Sequence, residues 1–407
     1  MKPKFYQAIG ILFVTLGAGT LLRADLNDWA RQAISPDQST ALSAQNSLRE
    51  TGPAGLEALE QCYAGEIQNH RNSPRANDDR WERITAALNR VGGQYDDYAS
   101  GLYWYTDLGK AEAAAQTSGK PILSLRLLGR LDEELSCANS RFFRATLYSN
   151  ARISQMLRDK FILHWESVRP VPIVTIDFGD GRKLMRTITG NSIHYILDTN
   201  GRAVDALPGL YGAQTFLTEL QSAADAVAQE KQGVTPVAHQ GATIRRLLAA
   251  WKADLSAVSD GNPDLNQANE TTLENMTDDT RWRLIAQRHI SEASFDPSSS
   301  KLILSKFPTA VQAAPLTASK MMVESPMLTA LRNMQKTVSV DTVRDNYMLR
   351  PKILGFLQAS EAHRFSLAEI NNWVYAQIFL TPKDDPWLGL APQDVFSGIA
   401  ENGEVGP

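Results

Sequence analysis

Apolar positions recur along this chain with more than one period, and the changes of period divide it. Residues 8–22 form an uninterrupted run without charge. From residue 25 to about 100 the spacing is helical. Leu48, the turn Gly52-Pro53, then Leu56, Leu59 and Tyr63 predict two amphipathic segments joined by a tight break, the arrangement of helical-repeat units. Cys62, between Leu59 and Tyr63, is expected as a buried helix residue acting as a small hydrophobe. The polar stretch 71–79, with Pro74 inside it, predicts a loop, and a further helix is expected over 80–91.

The middle of the chain alternates. Residues 107–118 are rich in alanine and predict a helix stopped at Gly119. Lys120-Pro121 then leads into Ile122 to Leu128, an apolar run short enough to be a buried strand. Two helical stretches follow Cys137. The second carries Ile153, Met156, Leu157 and Phe161 on one face, with Ser149 or Asn150 as its N-cap. Residues 161–168 read as a strand. Residues 173–178 and 183–189 read as a hairpin turning on Gly179-Asp180-Gly181-Arg182, where Asp177 and Asp180 are too few acids for a calcium loop. A second hairpin, 193–197 with 203–207, turns at Asp198-Thr199-Asn200-Gly201, and a helix over 215–227 closes the region. Residues 230–236 read as a linker.

Beyond it the pattern is mostly helical, with breaks expected near 260–269 and 296–300. The last strong helix begins at Ser366 with Glu369 three residues on, a capping-box pattern, and turns Ile370, Trp373, Val374 and Ile378 inward. The tail 381–390 is too rich in proline to continue it. The expected fold class is therefore an α/β domain over 103–229, a central mixed sheet with flanking helices. An N-terminal helical region (25–102) precedes it and a mostly helical C-terminal domain (240–407) follows.

Composition narrows the function classes. A chain of 407 residues with 43% apolar content buries a large core and suits two or three domains. Lys2 and Lys4, the apolar run and Leu22-Arg23-Ala24 form the pattern of an export signal over 1–24. The rival, a retained anchor, needs roughly twenty apolar residues. Losing Lys2, Lys4 and Arg23 and no acid takes the formal charge from -4 to -7. That mild acidity is spread along the chain without a basic patch, so neither nucleic acid nor, once the signal is removed, a membrane is an expected partner. The expected location is periplasmic or secreted. Cys62 and Cys137 are the only cysteines. One bridge between them is available, but their places in different regions argue against it.

The residues from Trp104 through Lys120-Pro121-Ile122-Leu123, on to Cys137 and then Leu147 to Ile153, Leu157 and Phe161, resemble the thioredoxin-like domains of exported bacterial thiol-disulfide proteins. The order is helix, strand, helix, strand, hairpin insert, strand, strand, helix, and its alternation ending in an antiparallel hairpin and a helix resembles the family's element order. Residues 189–201 stand where the family has its cis-proline loop and following hairpin. The resemblance covers less than a third of the chain. It implies an attacking thiol at Cys137 and a peptide-binding groove beside it, formed by Asn139, Asn191 and Ser192, with protein or peptide thiols as partners and no cofactor. Three departures stand out: Ser140 replaces the second cysteine of Cys-x-x-Cys, Ser192 occupies the proline position, and residues 129–135 enlarge the loop before Cys137.

These departures limit the chemistry. The first thiolate of a dithiol centre attacks a disulfide and the second cysteine resolves the mixed disulfide, so with Ser140 release needs an outside thiol, or Cys62 if it lies near. A helix N-terminus at Cys137 favours the thiolate, with Arg141 one turn on as an accessory, whereas an inert structural cysteine fits the same residues. His164 and His194, on neighbouring strands, allow a Cys137–His pair, yet each alternates with apolar neighbours as a core histidine does. No spacing of His, Cys, Asp and Glu suggests a metal site. Trp165 and Trp387 are partner surfaces or, more commonly, core anchors. Two readings follow: an exported single-thiol exchange protein using Cys137, and a non-catalytic binding scaffold on the same fold. An unrelated enzymatic activity, the Cys–His pair included, trails both.

Overall fold

The computed structural model describes residues 25–72, 78–260, 279–306, 320–359 and 365–387, together with residues 398 and 400. Residues 1–24 of the expected export signal, 73–77 of the expected loop, 261–269 of the expected break and 388–390 of the tail lie outside the described residues. After a helical segment at 25–32 come α1 (Gln38–Glu50), α2 (Pro53–Cys62), α3 (Ala64–Asn72) and α4 (Asp79–Gly92). Asp37 and Asp78 accept the N–H groups of Thr40 and Trp81, satisfying donors that a helix start leaves open. Leu48, Leu56, Leu59, Trp81, Ile84 and Leu88 bury together in one apolar cluster. Cys62 does not join them: it is exposed and unpaired, which corrects the expected burial. It is the last residue of α2, and where the chain turns, Tyr63 takes the core position and donates its hydroxyl to Ala30 O at 3.0 Å.

The middle of the chain forms β1 (Trp104–Tyr105), α5 (Leu108–Ser118), β2 (Ile122–Leu128), α6 (Ala138–Phe142) with a π turn at Phe143–Leu147, α7 (Ala151–Lys160) and β3 (Ile162–Arg169). There follow β4 (Ile173–Asp177), β5 (Lys183–Thr187), β6 (Ser192–Leu197), β7 (Ala203–Pro208) and α8 (Ala213–Gln229). Asp107 caps α5 and Gly119, at φ 71°, ends it in the left-handed region that glycine enters without strain. Five strands make one mixed sheet in the order β1-β3-β2-β6-β7, with β1, β3 and β2 parallel and β6 and β7 antiparallel; β4 and β5 pair only with each other. Every residue of β2 is buried, as a central strand covered on both faces requires.

The connections decide what covers each face. Going from β1 to β2 steps across β3, and going from β2 to β3 steps back. Right-handed crossovers therefore put α5 on one face and α6–α7 on the other. Leu125 registers with Trp165 and His194, and this face meets α6, α7 and α8, with the Phe143 and Phe216 rings 4.7 and 5.1 Å from the His194 ring. Ser124 registers with His164 and Tyr195 on the opposite face. There the link from β3 to β6 supplies a hairpin, β4–β5, and no helix. A helix from the far end of the chain takes that place.

That helix belongs to the C-terminal set: α9 (Pro236–Asp260), α10 (Asp279–Arg288), α11 (Pro297–Ser305), α12 (Lys320–Arg344) with a π turn at Asp345–Leu349, α13 (Arg350–Gln358) and α14 (Leu367–Trp373) with a π turn at Val374–Ile378. Asp296 caps α11 by accepting the Ser299 N–H at 2.8 Å, so the expected break near 296–300 starts a helix. Ser366 and Glu369 form the capping box at the start of α14. Tyr195 donates to Asn371 Oδ1 at 3.4 Å, and Ile370, Val374 and Tyr375 enter the sheet's apolar core with Ile353, Leu354 and Leu357 of α13.

A buried ionic cluster fastens these helices to the edge strand. Arg350 of α13, with no exposed surface, donates to Asp205 Oδ2 of β7 at 2.8 Å and pairs with Glu219 Oε2 of α8 at 2.7 Å. His239 Nε2 lies 2.7 Å from Asp205 Oδ2, and Arg246 reaches Glu219 at 2.6 Å, both from α9. Burial alone raises the Asp205 pKa, but the Arg350 charge and the His239 contact outweigh it and hold the carboxyl at about 2. Replacing Arg350 with leucine removes the one cation shared by both buried carboxylates and leaves Asp205 to His239 and Glu219 to Arg246; the expected loss is about 3–5 kcal/mol of unfolding free energy in urea titrations. Because the folded pKa lies below the unfolded one, the contribution of Asp205 is present above the usual carboxylate range and is lost as pH falls from about 4 toward 2. The stability gap between the wild type and Asp205→Asn is therefore expected to narrow over that window.

Candidate functional site

The site is built where β2 ends. The enlarged loop 129–135 is held by Arg144, which is buried and donates to the carbonyls of Leu131, Glu133 and Glu134 at 2.7 to 3.2 Å. The chain then returns to the sheet, where Cys137 N donates to Leu128 O at 3.3 Å. Cys137 is the N-cap of α6: its Sγ accepts the Ser140 N–H at 3.4 Å, and Ser140 Oγ donates back to Cys137 O at 2.9 Å. The thiol is wholly buried. Burial pushes the Tyr148 and Tyr375 phenols well above their ordinary pKa, and the Cys137 sulfur adds to the effect in both. The second of these tyrosines comes from the π turn after α14.

The loop before β6 closes against this helix start. Ala138 N donates to Thr189 O at 3.2 Å, and Asn139 Nδ2 donates to Ser192 Oγ at 2.9 Å. Gly190 makes the approach possible, since a Cβ there would stand 2.6 Å from Asn139 Oδ1 and 3.2 Å from the Ala138 methyl. Arg141 donates to Thr187 Oγ1 at 2.8 Å, and that hydroxyl donates to Ser136 O at 3.0 Å. Cys137, Asn139, Ser140, Arg141, Asn191 and Ser192 thus lie in one connected neighbourhood.

The outer side of the neighbourhood is occupied by the chain's own C-terminal segment. Tyr375 donates to Asn191 O at 3.0 Å, and Asn191 Nδ2 donates to Thr381 Oγ1 at 3.1 Å. Arg169, at the end of β3, donates to the carbonyls of Thr381, Pro382, Lys383 and Asp385 at 3.0 to 3.3 Å. One guanidinium thereby holds four carbonyls of the segment 381–385 beside the loop. Tyr375, Thr381 and Arg169 are the site residues that sequence reading missed. The tyrosine alternates with inward-facing positions of α14, but nothing local marks its target.

The two histidines are brought to the sheet interior and kept from the thiol. His164 Nδ1 lies 2.9 Å from Ser124 Oγ, and burial, reinforced by Arg126, pushes its pKa down to about 3. His194 Nε2 lies 2.7 Å from the Tyr148 hydroxyl, and burial pushes its pKa to about 3 as well. Both imidazoles are neutral at physiological pH, and neither hydrogen-bonds Cys137. The geometry therefore forms no Cys–His pair. Cys137 and Cys62 are both free thiols. Trp165 is a core anchor, donating to Gly93 O at 2.8 Å beneath Arg130, whereas Trp387 is exposed. Among the described residues no group of three or more His, Cys, Asp and Glu has metal-binding geometry.

The arrangement can orient a loop and bury a thiol; among the described residues no imidazole or carboxylate hydrogen-bonds that thiol. Gly190→Ala is expected to cost about 1–3 kcal/mol, because Asn139 must leave Ser192 to make room; thermal unfolding of the variant checks this. Comparison with family models, with curated proteins and with solved structures finds no match to this chain.

Proposed function

We propose that this is an exported, thioredoxin-like interaction protein in which the former redox centre serves as a structural joint. The observation that carries the proposal is the state of Cys137: wholly buried, its Sγ used as a helix-cap acceptor, with its groove loop bonded to Tyr375 and Thr381. The thioredoxin-like reading is supported by the strand order β1-β3-β2-β6-β7, by three parallel strands followed by two antiparallel ones, and by helices from the first two crossovers on opposite faces. It departs from that pattern in one respect: a hairpin replaces the helix between β3 and β6, and α14 covers the face instead. Export rests on the signal pattern in residues 1–24. Loss of the second cysteine, loss of the proline and enclosure of the first cysteine all remove exchange chemistry and leave a rigid α/β scaffold with helical additions.

Single-thiol exchange is the second reading. It is favoured by one observation, the Ser140 N–H aimed at Cys137 Sγ, the contact that would stabilise a thiolate. For that activity the segment 375–385 must move aside. The thiolate then attacks a partner disulfide, one partner sulfur leaves as a thiolate, and an external thiol resolves the mixed disulfide.

A Cys62→Ser protein, with Cys137 as its one thiol, separates the readings. With dithiothreitol as reductant, it is expected to reduce insulin disulfides no faster than dithiothreitol alone, and to yield no Cys137-linked mixed disulfide with oxidised glutathione. A rate above that background, abolished by adding Cys137→Ala, would establish exchange and displace the scaffold reading.

A further inference from the structure

Beyond its base at Thr187, the hairpin β4–β5 is an arm that covers no part of the sheet. Of eleven large apolar side chains exposed among the described residues, six lie between 171 and 189: Ile173, Val174, Ile176, Phe178, Met185 and Ile188, each 37 to 55% exposed. A two-stranded ribbon is marginal in water by itself, and apolar surface concentrated on one marks a contact surface. The register pairs Val174 with Arg186 and Ile176 with Leu184, so Val174, Ile176 and Leu184 share one face. The tip, Gly179-Asp180-Gly181-Arg182, is polar, which does not suit insertion into a lipid layer.

Charge and backbone single out one edge. Phe178 N donates to Arg182 O at 3.1 Å, so that pair is hydrogen-bonded, and by alternation the backbone groups of Lys183, Met185 and Thr187 point outward from β5. That strand and the turn before it carry Arg182, Lys183 and Arg186. Arg182 is paired with Asp180 at 2.7 Å and Lys183 with Asp177 at 3.2 Å. Arg186 has no carboxylate among the described residues and donates at 2.9 Å to Met185 O, one of the outward carbonyls. A cation lying on its own strand edge is a guard against unwanted pairing, and it yields to a carboxylate. At its base the arm is rooted in the neighbourhood of Cys137 through Thr187, Ser136 and Arg141.

We propose that the outer edge of β5 receives an extended peptide segment of a partner protein, apolar at alternate positions and carrying a carboxylate that draws Arg186 off Met185 O. The segment adds a strand to the ribbon, and its side chains cover the exposed apolar positions. A second copy of this chain is a poor occupant, since pairing two β5 edges brings the Lys183 and Arg186 cations of both copies together and β5 itself carries no carboxylate to meet them. The proposal rests on the interaction-protein reading and names the surface and the partner chemistry.

The test uses the full chain and a phage-displayed library of random twelve-residue peptides. Selection is expected to enrich apolar peptides bearing Asp or Glu. The enriched peptide, synthesised with a fluorophore, is expected to bind about tenfold or more weakly to Met185→Pro, which removes an outward N–H without touching the ribbon's internal bonds, and to lose much less with Met185→Ala, which keeps that N–H and gives up only the side-chain contact. Arg186→Glu is expected to weaken it similarly and to bind better a peptide whose acids are changed to lysine. Enriched peptides that bind Met185→Pro as well as the wild type would overturn the role of the arm and leave the interaction reading standing. No enrichment at all would contradict both. Flotation of the protein with phosphatidylglycerol and phosphatidylethanolamine vesicles, or a dimer in sedimentation that Arg186→Glu dissociates, would overturn the peptide in favour of a membrane or a second copy.

Discussion

The central strand β2 is buried on both faces, and the links between the strands leave one face of this mixed sheet half bare. The link between β3 and β6 makes a projecting hairpin where a covering helix would ordinarily return, so Ser124, His164 and Tyr195 need a roof from elsewhere. The roof is α14, some 170 residues further on, with Asn371 bonded to Tyr195 and Ile370 and Val374 in the core. Most of the architecture follows from that substitution. The C-terminal helices cannot be a loosely tethered addition, because the sheet depends on them. The hairpin, freed from covering the sheet, extends into solvent. And the segment that follows α14 passes over the loop before β6, which encloses Cys137.

Enclosure of this kind needs a fastening that resists sliding, and apolar contact alone is not directional. Arg350 supplies direction, being fully buried between carboxylates from β7 and α8. Such a cluster adds little net stability compared with apolar packing of equal volume, but removing one member is costly. It fixes how α13 sits on the sheet, and so where α14 begins. Arg169 does comparable work at the rim, where its guanidinium gathers four consecutive or nearly consecutive carbonyls and holds the tail in place. The two imidazoles also serve the core: burial keeps each neutral and each meets one hydroxyl, Ser124 for His164 and Tyr148 for His194.

Local signals were legible and distant ones were not. The strand 122–128 matches β2 residue for residue, and both hairpins turn at their glycines, because an apolar run and a turn residue act over a few positions. The approach of Asn139 to Ser192 was implied by the thioredoxin resemblance rather than by any local signal, and the two side chains are bonded at 2.9 Å. Cys62 was misplaced because helical phase does not tell which residue ends a helix. The partners of the site were invisible: Asn191 meets Thr381 across 190 positions, and Asp205 meets Arg350 across 145. No periodicity records which buried tyrosine or arginine will meet which strand.

The claim at the centre of this account is that the C-terminal segment seals Cys137, and alkylation kinetics test it most directly. In Cys62→Ser protein, native Cys137 is expected to react with iodoacetamide roughly 100-fold more slowly than in the urea-unfolded chain, since reaction awaits an opening of the cover. Adding Tyr375→Ala, which removes the bond to Asn191 O, is expected to raise the native rate while the protein stays folded. A native Cys137 that reacts as fast as the unfolded thiol, or a rate that Tyr375→Ala leaves unchanged, would contradict it.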